Sequence, residues 1–141
     1  MGFFSKLFKK EKKEIFESDK FVFYKKTKTY NGTINDIKFC ADELNQDIVE
    51  YSEKLATEYN SNLSKIADFM LNDEAFDNKE GMYKNISKEQ LLESLNTPTI
   101  RLVANDYCEI AYTNHTLDDE HILSFEVSGV YNKFYYLSIN G

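Results

Sequence analysis

One stripe of apolar and aromatic side chains dominates the middle of the chain: Leu44, Ile48, Tyr51, Leu55, Tyr59, Leu63, Ile66 and Met70 recur at steps of three or four. That spacing lines one face of an α-helix. A helix this long cannot bury its stripe against itself, so the flanking segments must supply a broad apolar surface. Asp42 or Asn45 can cap its start. The poor helix formers Asn60-Ser61-Asn62 mark where it would kink. Its other face, with Asp47, Glu50, Glu53, Lys54 and Glu58, reads as solvated.

The flanks alternate like strands. Phe21-Val22-Phe23-Tyr24 is one β-type run, and residues 30–40 hold two more with a turn between them. Asn31-Gly32 is the stronger hairpin signal; a turn at Asn35-Asp36 would leave Gly32 as a bulge. Toward the C-terminus, Ile100-Leu102-Ala104, Ile110-Tyr112, Leu123-Phe125-Val127 and Tyr135-Leu137-Ile139 suggest four antiparallel strands. Asn105-Asp106, residues 114–120 and the Gly129 segment connect them.

Between helix and strands, residues 72–85 read as loop with one helical turn around Ala75 and Phe76. Ser87-Lys88-Glu89-Gln90 then forms a capping box, with Ile86 and Leu91 placed as a hydrophobic staple. The spacing predicts a short helix from Lys88 to Leu95, stopped by Pro98. The expected fold class is α+β. A mostly antiparallel sheet, built from a small N-terminal β unit plus four C-terminal strands, is packed by one long helix and one short helix. Residues 21–141 form a single domain, and residues 1–20 a basic, Phe-rich leader, helical or disordered.

Charge divides the chain after residue 13. Residues 1–13 carry five Lys and one Glu, whereas the remainder carries 12 basic and 23 acidic residues. As a helix, Phe3, Phe4, Leu7 and Phe8 would share a face beside Lys9 and Lys10, the layout of an interfacial anchor making transient contact with an anionic membrane. The myristoylation pattern fails, because Lys6 stands where Ser or Thr is needed. With Arg101 the lone Arg and a net charge of −7, nucleic-acid binding is not expected. Cys40 and Cys108 sit in strand-like runs and read as inert thiols in a reducing cytoplasm. No signal peptide, membrane span, glycine-rich phosphate loop or repeat is found, and no cofactor is implied.

The closing stretch Leu117-Asp118-Asp119-Glu120-His121-Ile122, then Ser128-Gly129 and Ser138-Ile139-Asn140-Gly141, resembles a bacterial family known as domain of unknown function 2262. The Ala67-Asp68-Phe69-Met70-Leu71-Asn72 helix end and the helix at residues 87–95 are similar too, so the resemblance covers residues 21–141. The chain departs from it at Phe76, where the family tends to carry Trp, and at Glu120, where Gly commonly precedes the His. The resemblance implies a bacterial intracellular protein and no established activity.

His115, Asp118, Asp119, Glu120 and His121 fall within seven residues. They nominate His121 and Asp118 as catalytic candidates, and His115, His121 and Asp119 as metal candidates. The adjacent Asp118 and Asp119 would face opposite ways in a strand, and His115 and His121 match no common zinc spacing. The leading expectation is a non-enzymatic module of immunity or antidote type, whose acidic body binds a basic protein through tyrosine anchors. The alternatives are a small metal-dependent or acid/base enzyme using the residue 115–121 loop, and a peripheral membrane adaptor at the inner face of the membrane using residues 1–13.

Overall fold

The computed structural model describes residues 14–77 and 83–141. The anchor helix expected within residues 1–13 and the central part of the 72–85 loop lie outside the described residues.

Seven strands form one sheet, and they lie side by side in chain order: β1 (Val22–Tyr24), β2 (Thr29–Ile34), β3 (Ile37–Ala41), β4 (Thr99–Ala104), β5 (Tyr107–Tyr112), β6 (Ile122–Ser128) and β7 (Lys133–Asn140). Neighbours are antiparallel except β3 and β4, which run parallel with Lys38 opposite Thr99 and Ala41 opposite Leu102. The mostly antiparallel sheet expected from the sequence is present, and its N-terminal unit and four C-terminal strands are continuous rather than divided. Local alternation shows strands but not which distant strand lies alongside.

The hairpin ambiguity resolves at Asn35-Asp36. Both residues are left-handed, with φ of 51° and 68°, as a two-residue type I′ turn requires. Asn31-Gly32 makes no turn, and Gly32 makes no bulge, because it pairs with Phe39 in unbroken register. The glycine meets a different demand: the Lys20 carbonyl passes so close that a Cβ at this position would collide with it.

Among the described residues, three helices lie in the parallel crossover: α1 (Gln46–Leu71), α2 (Glu74–Asp77) and α3 (Lys88–Leu95). Asn45 caps α1, its Oδ1 accepting the Ile48 N–H at 2.8 Å. The helix runs through Asn60-Ser61-Asn62 as one element; Ser61 Oγ and Asn62 Nδ2 donate to the Glu58 carbonyl at 2.9 and 2.8 Å. The Ser87 capping box forms as expected: Ser87 Oγ accepts the Gln90 N–H, and Gln90 Oε1 accepts the Ser87 N–H.

The stripe of α1 is buried on one face of the sheet with Phe39, Ala41, Ile100, Leu102, Ile110, Tyr112, Leu123, Phe125 and Val127. Residues 14–20 run along this body: Phe16 packs against the core and its N–H donates to the Tyr30 hydroxyl at 2.8 Å. The alternate residues of β3 to β7 point the other way and, among the described residues, are exposed or half-exposed. The domain thus presents an outer helix surface and an open sheet surface. Among the described residues, no helix is long and apolar enough to cross a membrane.

Candidate functional site

The loop joining β5 to β6 carries the cluster the sequence singled out, and the two histidines take different roles. His115 is buried and fully engaged: Nδ1 accepts the Leu117 N–H at 3.1 Å, and Nε2 lies 2.7 Å from the His121 carbonyl. The first bond makes Nδ1 an acceptor and leaves Nε2 to donate, so His115 is a neutral strut holding both ends of the loop. It has no lone pair left for a metal. Asp119 is exposed and stands apart from these bonds. No three His, Cys, Asp or Glu among the described residues are grouped to hold an ion.

Asp118 and His121 do meet. Asp118 Oδ2 lies 2.8 Å from His121 Nδ1, while Oδ1 accepts the backbone N–H of His121 at 2.9 Å and of Glu120 at 3.1 Å. The Tyr83 ring stands edge-on to the imidazole, 6.3 Å between centroids. Burial opposes the Asp118 charge, but the imidazole and the two backbone donors, with the Tyr83 hydroxyl nearby though short of hydrogen-bond geometry, outweigh it and hold the carboxyl well below its ordinary 3.8. Asp118 is therefore a fixed carboxylate that orients one imidazole, with Nε2 the ring's remaining polar atom.

A second polar cluster lies under α1. Tyr59 and Tyr112 share a hydrogen bond of 2.6 Å, Tyr131 donates to the Leu55 carbonyl at 2.6 Å, and Tyr51 donates to the Gly129 carbonyl at 2.7 Å. Burial pushes the Cys108 thiol up to about 12, against the opposing effect of the Tyr51 hydroxyl. These groups are satisfied and uncharged, so they specify packing. Half-buried Cys40 is raised as well, again chiefly by burial. Neither thiol is a nucleophile near neutrality.

The open sheet face assembles a group that sequence order scatters. Val22, Asn31, Cys40, Arg101, Glu109, Glu126 and Tyr135 are successive Cα partners across all seven strands. Two carboxylates therefore stand side by side on β5 and β6. Arg101 is the β4 neighbour of Glu109, yet its guanidinium reaches Asp42 instead, at 3.3 Å. Tyr107 and Tyr135 stack across Glu126, with centroids 6.5 Å apart and rings 24° from parallel. Desolvation and the adjoining Glu126 carboxylate raise the Tyr107 hydroxyl. Beyond them β7 bulges, and Tyr136 takes a left-handed φ of 58° while remaining 75% exposed. The alternation of β5 to β7 put these residues on one face in principle. Only the register joins them.

Comparison of the chain with protein-family models, curated proteins and solved structures finds no match.

Proposed function

We propose that the protein is a non-enzymatic binding module whose open sheet face, at its β5 to β7 end, takes a basic protein partner. The observation that carries this reading is the Glu109–Glu126 pair beside the stacked rings of Tyr107 and Tyr135. Like charges directly opposite each other in an antiparallel ladder cost stability. Here the cost is borne on a solvent-facing surface, with no ion pair among the described residues to offset it, and flanked by aromatic rings. A Lys or Arg side chain laid against the carboxylates and over an exposed ring face would neutralise the pair and gain cation–π contact. The acidic balance of the chain would steer such a partner from a distance. Tyr136 supplies a further rigid anchor, held in a conformation that a tyrosine adopts at a cost.

An immunity or antidote role inside a bacterial cell is one concrete form of this reading, in keeping with the family resemblance and a cytoplasmic home. The test is an NMR titration of the full chain with a Lys- and Arg-rich peptide at low salt. Shifts concentrated on β5, β6 and β7 amides, lost in Glu109→Gln/Glu126→Gln, support it; shifts spread along the outer face of α1 would sink it.

The Asp118–His121 pair favours a second reading, general acid/base chemistry at His121 Nε2. It requires a reacting group brought by the substrate. A His121→Gln chain that retains any hydrolytic activity found in the wild type would remove it.

A further inference from the structure

The chain holds a single arginine, and the sheet register sets it in line with the acidic pair. Arg101 on β4 stands between Cys40 of β3 and Glu109 of β5, and Glu109 stands opposite Glu126. Among the described residues, Arg101 is the one cation directly opposite either glutamate in the sheet: Lys38 lies opposite Thr99 and Lys133 opposite Ser128. A cross-strand neighbour of opposite charge is the ordinary means of stabilising such a row. The planar fork of a guanidinium also matches a carboxylate better than an ammonium does.

The side chain goes elsewhere. Arg101 Nη2 donates to Asp42 Oδ2 at 3.3 Å, and Asp42 lies just past the end of β3, two residues beyond Cys40. Three charges therefore act on the Cys40 thiol: besides burial, the largest influence, Arg101 lowers its pKa while Asp42 and Glu109 raise it. The guanidinium has one carboxylate on each side, Glu109 in the ladder and Asp42 off its end, and it is committed to Asp42. Both partners are more than half-exposed, and an exposed pair adds little stability. What the pair decides is where the positive charge sits. With Arg101 laid along Glu109, the row would carry one net negative charge in place of two.

We propose that Asp42 is a positioning residue for the acidic face: it holds Arg101 off Glu109 and so keeps both glutamates available to a basic partner. This rests on the reading of that face as a binding surface. Without Asp42, Arg101 pairs with Glu109 and competes from within the chain against the partner's lysine or arginine.

Titration of the full chain with an oligolysine peptide at low salt, followed through the β5 to β7 amides, tests this. Asp42→Asn should bind about three- to fivefold more weakly than the wild type. Glu43→Gln removes an equal charge one residue away without releasing Arg101, and its loss should be smaller. Arg101→Gln should strengthen binding more in the Asp42→Asn chain than in the wild type, a non-additivity that net charge alone does not produce. Thermal melts supply a readout free of peptide: the coupling between Arg101→Gln and Glu109→Gln should be larger in the Asp42→Asn chain than in the wild type. Equal coupling in the two backgrounds, equal gains from Arg101→Gln, or Asp42→Asn binding no worse than Glu43→Gln would overturn the proposal. Wild-type binding that survives Glu109→Gln/Glu126→Gln would overturn the underlying reading instead, while the melts report separately where Arg101 lies.

Discussion

Glu109 and Glu126 face each other across the β5–β6 ladder with no cation within ion-pair distance of either among the described residues. Beyond the adjoining Tyr107 hydroxyl, their repulsion is relieved by solvent, salt or a ligand. Glu126→Gln should therefore raise stability by about 0.2–1 kcal/mol, with the larger gain at low ionic strength. Thermal melts at two salt concentrations check this; a lower melting temperature in the variant would show that the pair is already compensated.

Asp118 predicts behaviour in acid. Its folded pKa lies below the ordinary 3.8, so its stabilisation is fully present above about pH 4 and is lost as the pH falls through the lower folded value. Urea unfolding should show Asp118→Asn less stable than the wild type near neutrality. The two should converge on acidification below about pH 3. Parallel stability curves at all pH values would contradict the assignment.

The buried Tyr59–Tyr112 bond gives a double-mutant cycle. Burial pushes the Tyr59 hydroxyl up to about 12, against the effect of its Tyr112 partner, so the pair is neutral throughout the working range. Tyr59→Phe or Tyr112→Phe strands one hydroxyl and should cost about 1–3 kcal/mol. The double variant should cost less than the sum of the singles, because no orphan remains. Additive losses would mean that each hydroxyl has an independent partner.

Gly32 should be the least tolerant glycine in the sheet. Gly32→Ala pushes a methyl group into the Lys20 carbonyl, which is backbone and cannot rotate away. A loss above about 2 kcal/mol is expected. Chemical denaturation measures it, and a neutral result would mean that residues 14–20 lift off the sheet without cost.

The legible parts of the fold were those written in local spacing. The α1 stripe, the Ser87–Gln90 capping box and the alternation of the last four strands each follow from contacts within a few residues. What stayed hidden depends on chain segments far apart. The parallel contact of Lys38 with Thr99 turns two β groups into one sheet, and Gly32 is explained by Lys20 above it rather than by a turn at Asn31. The same holds for the sites. Asp118 and His121, three residues apart, were legible as a pair. The consumption of His115 by its own loop was not, because it requires the Leu117 N–H and the His121 carbonyl to converge on one ring. The tyrosine-flanked carboxylates appear only when the β5, β6 and β7 registers are known.

Capture by the tagged full-length chain, compared directly with capture by Glu109→Gln/Glu126→Gln, tests the central claim that the β5 to β7 face binds a basic protein. The account predicts a near-stoichiometric basic protein on the wild type, released as salt rises and absent from the double variant. Equal recovery by both chains, or a partner held without salt dependence, would contradict it.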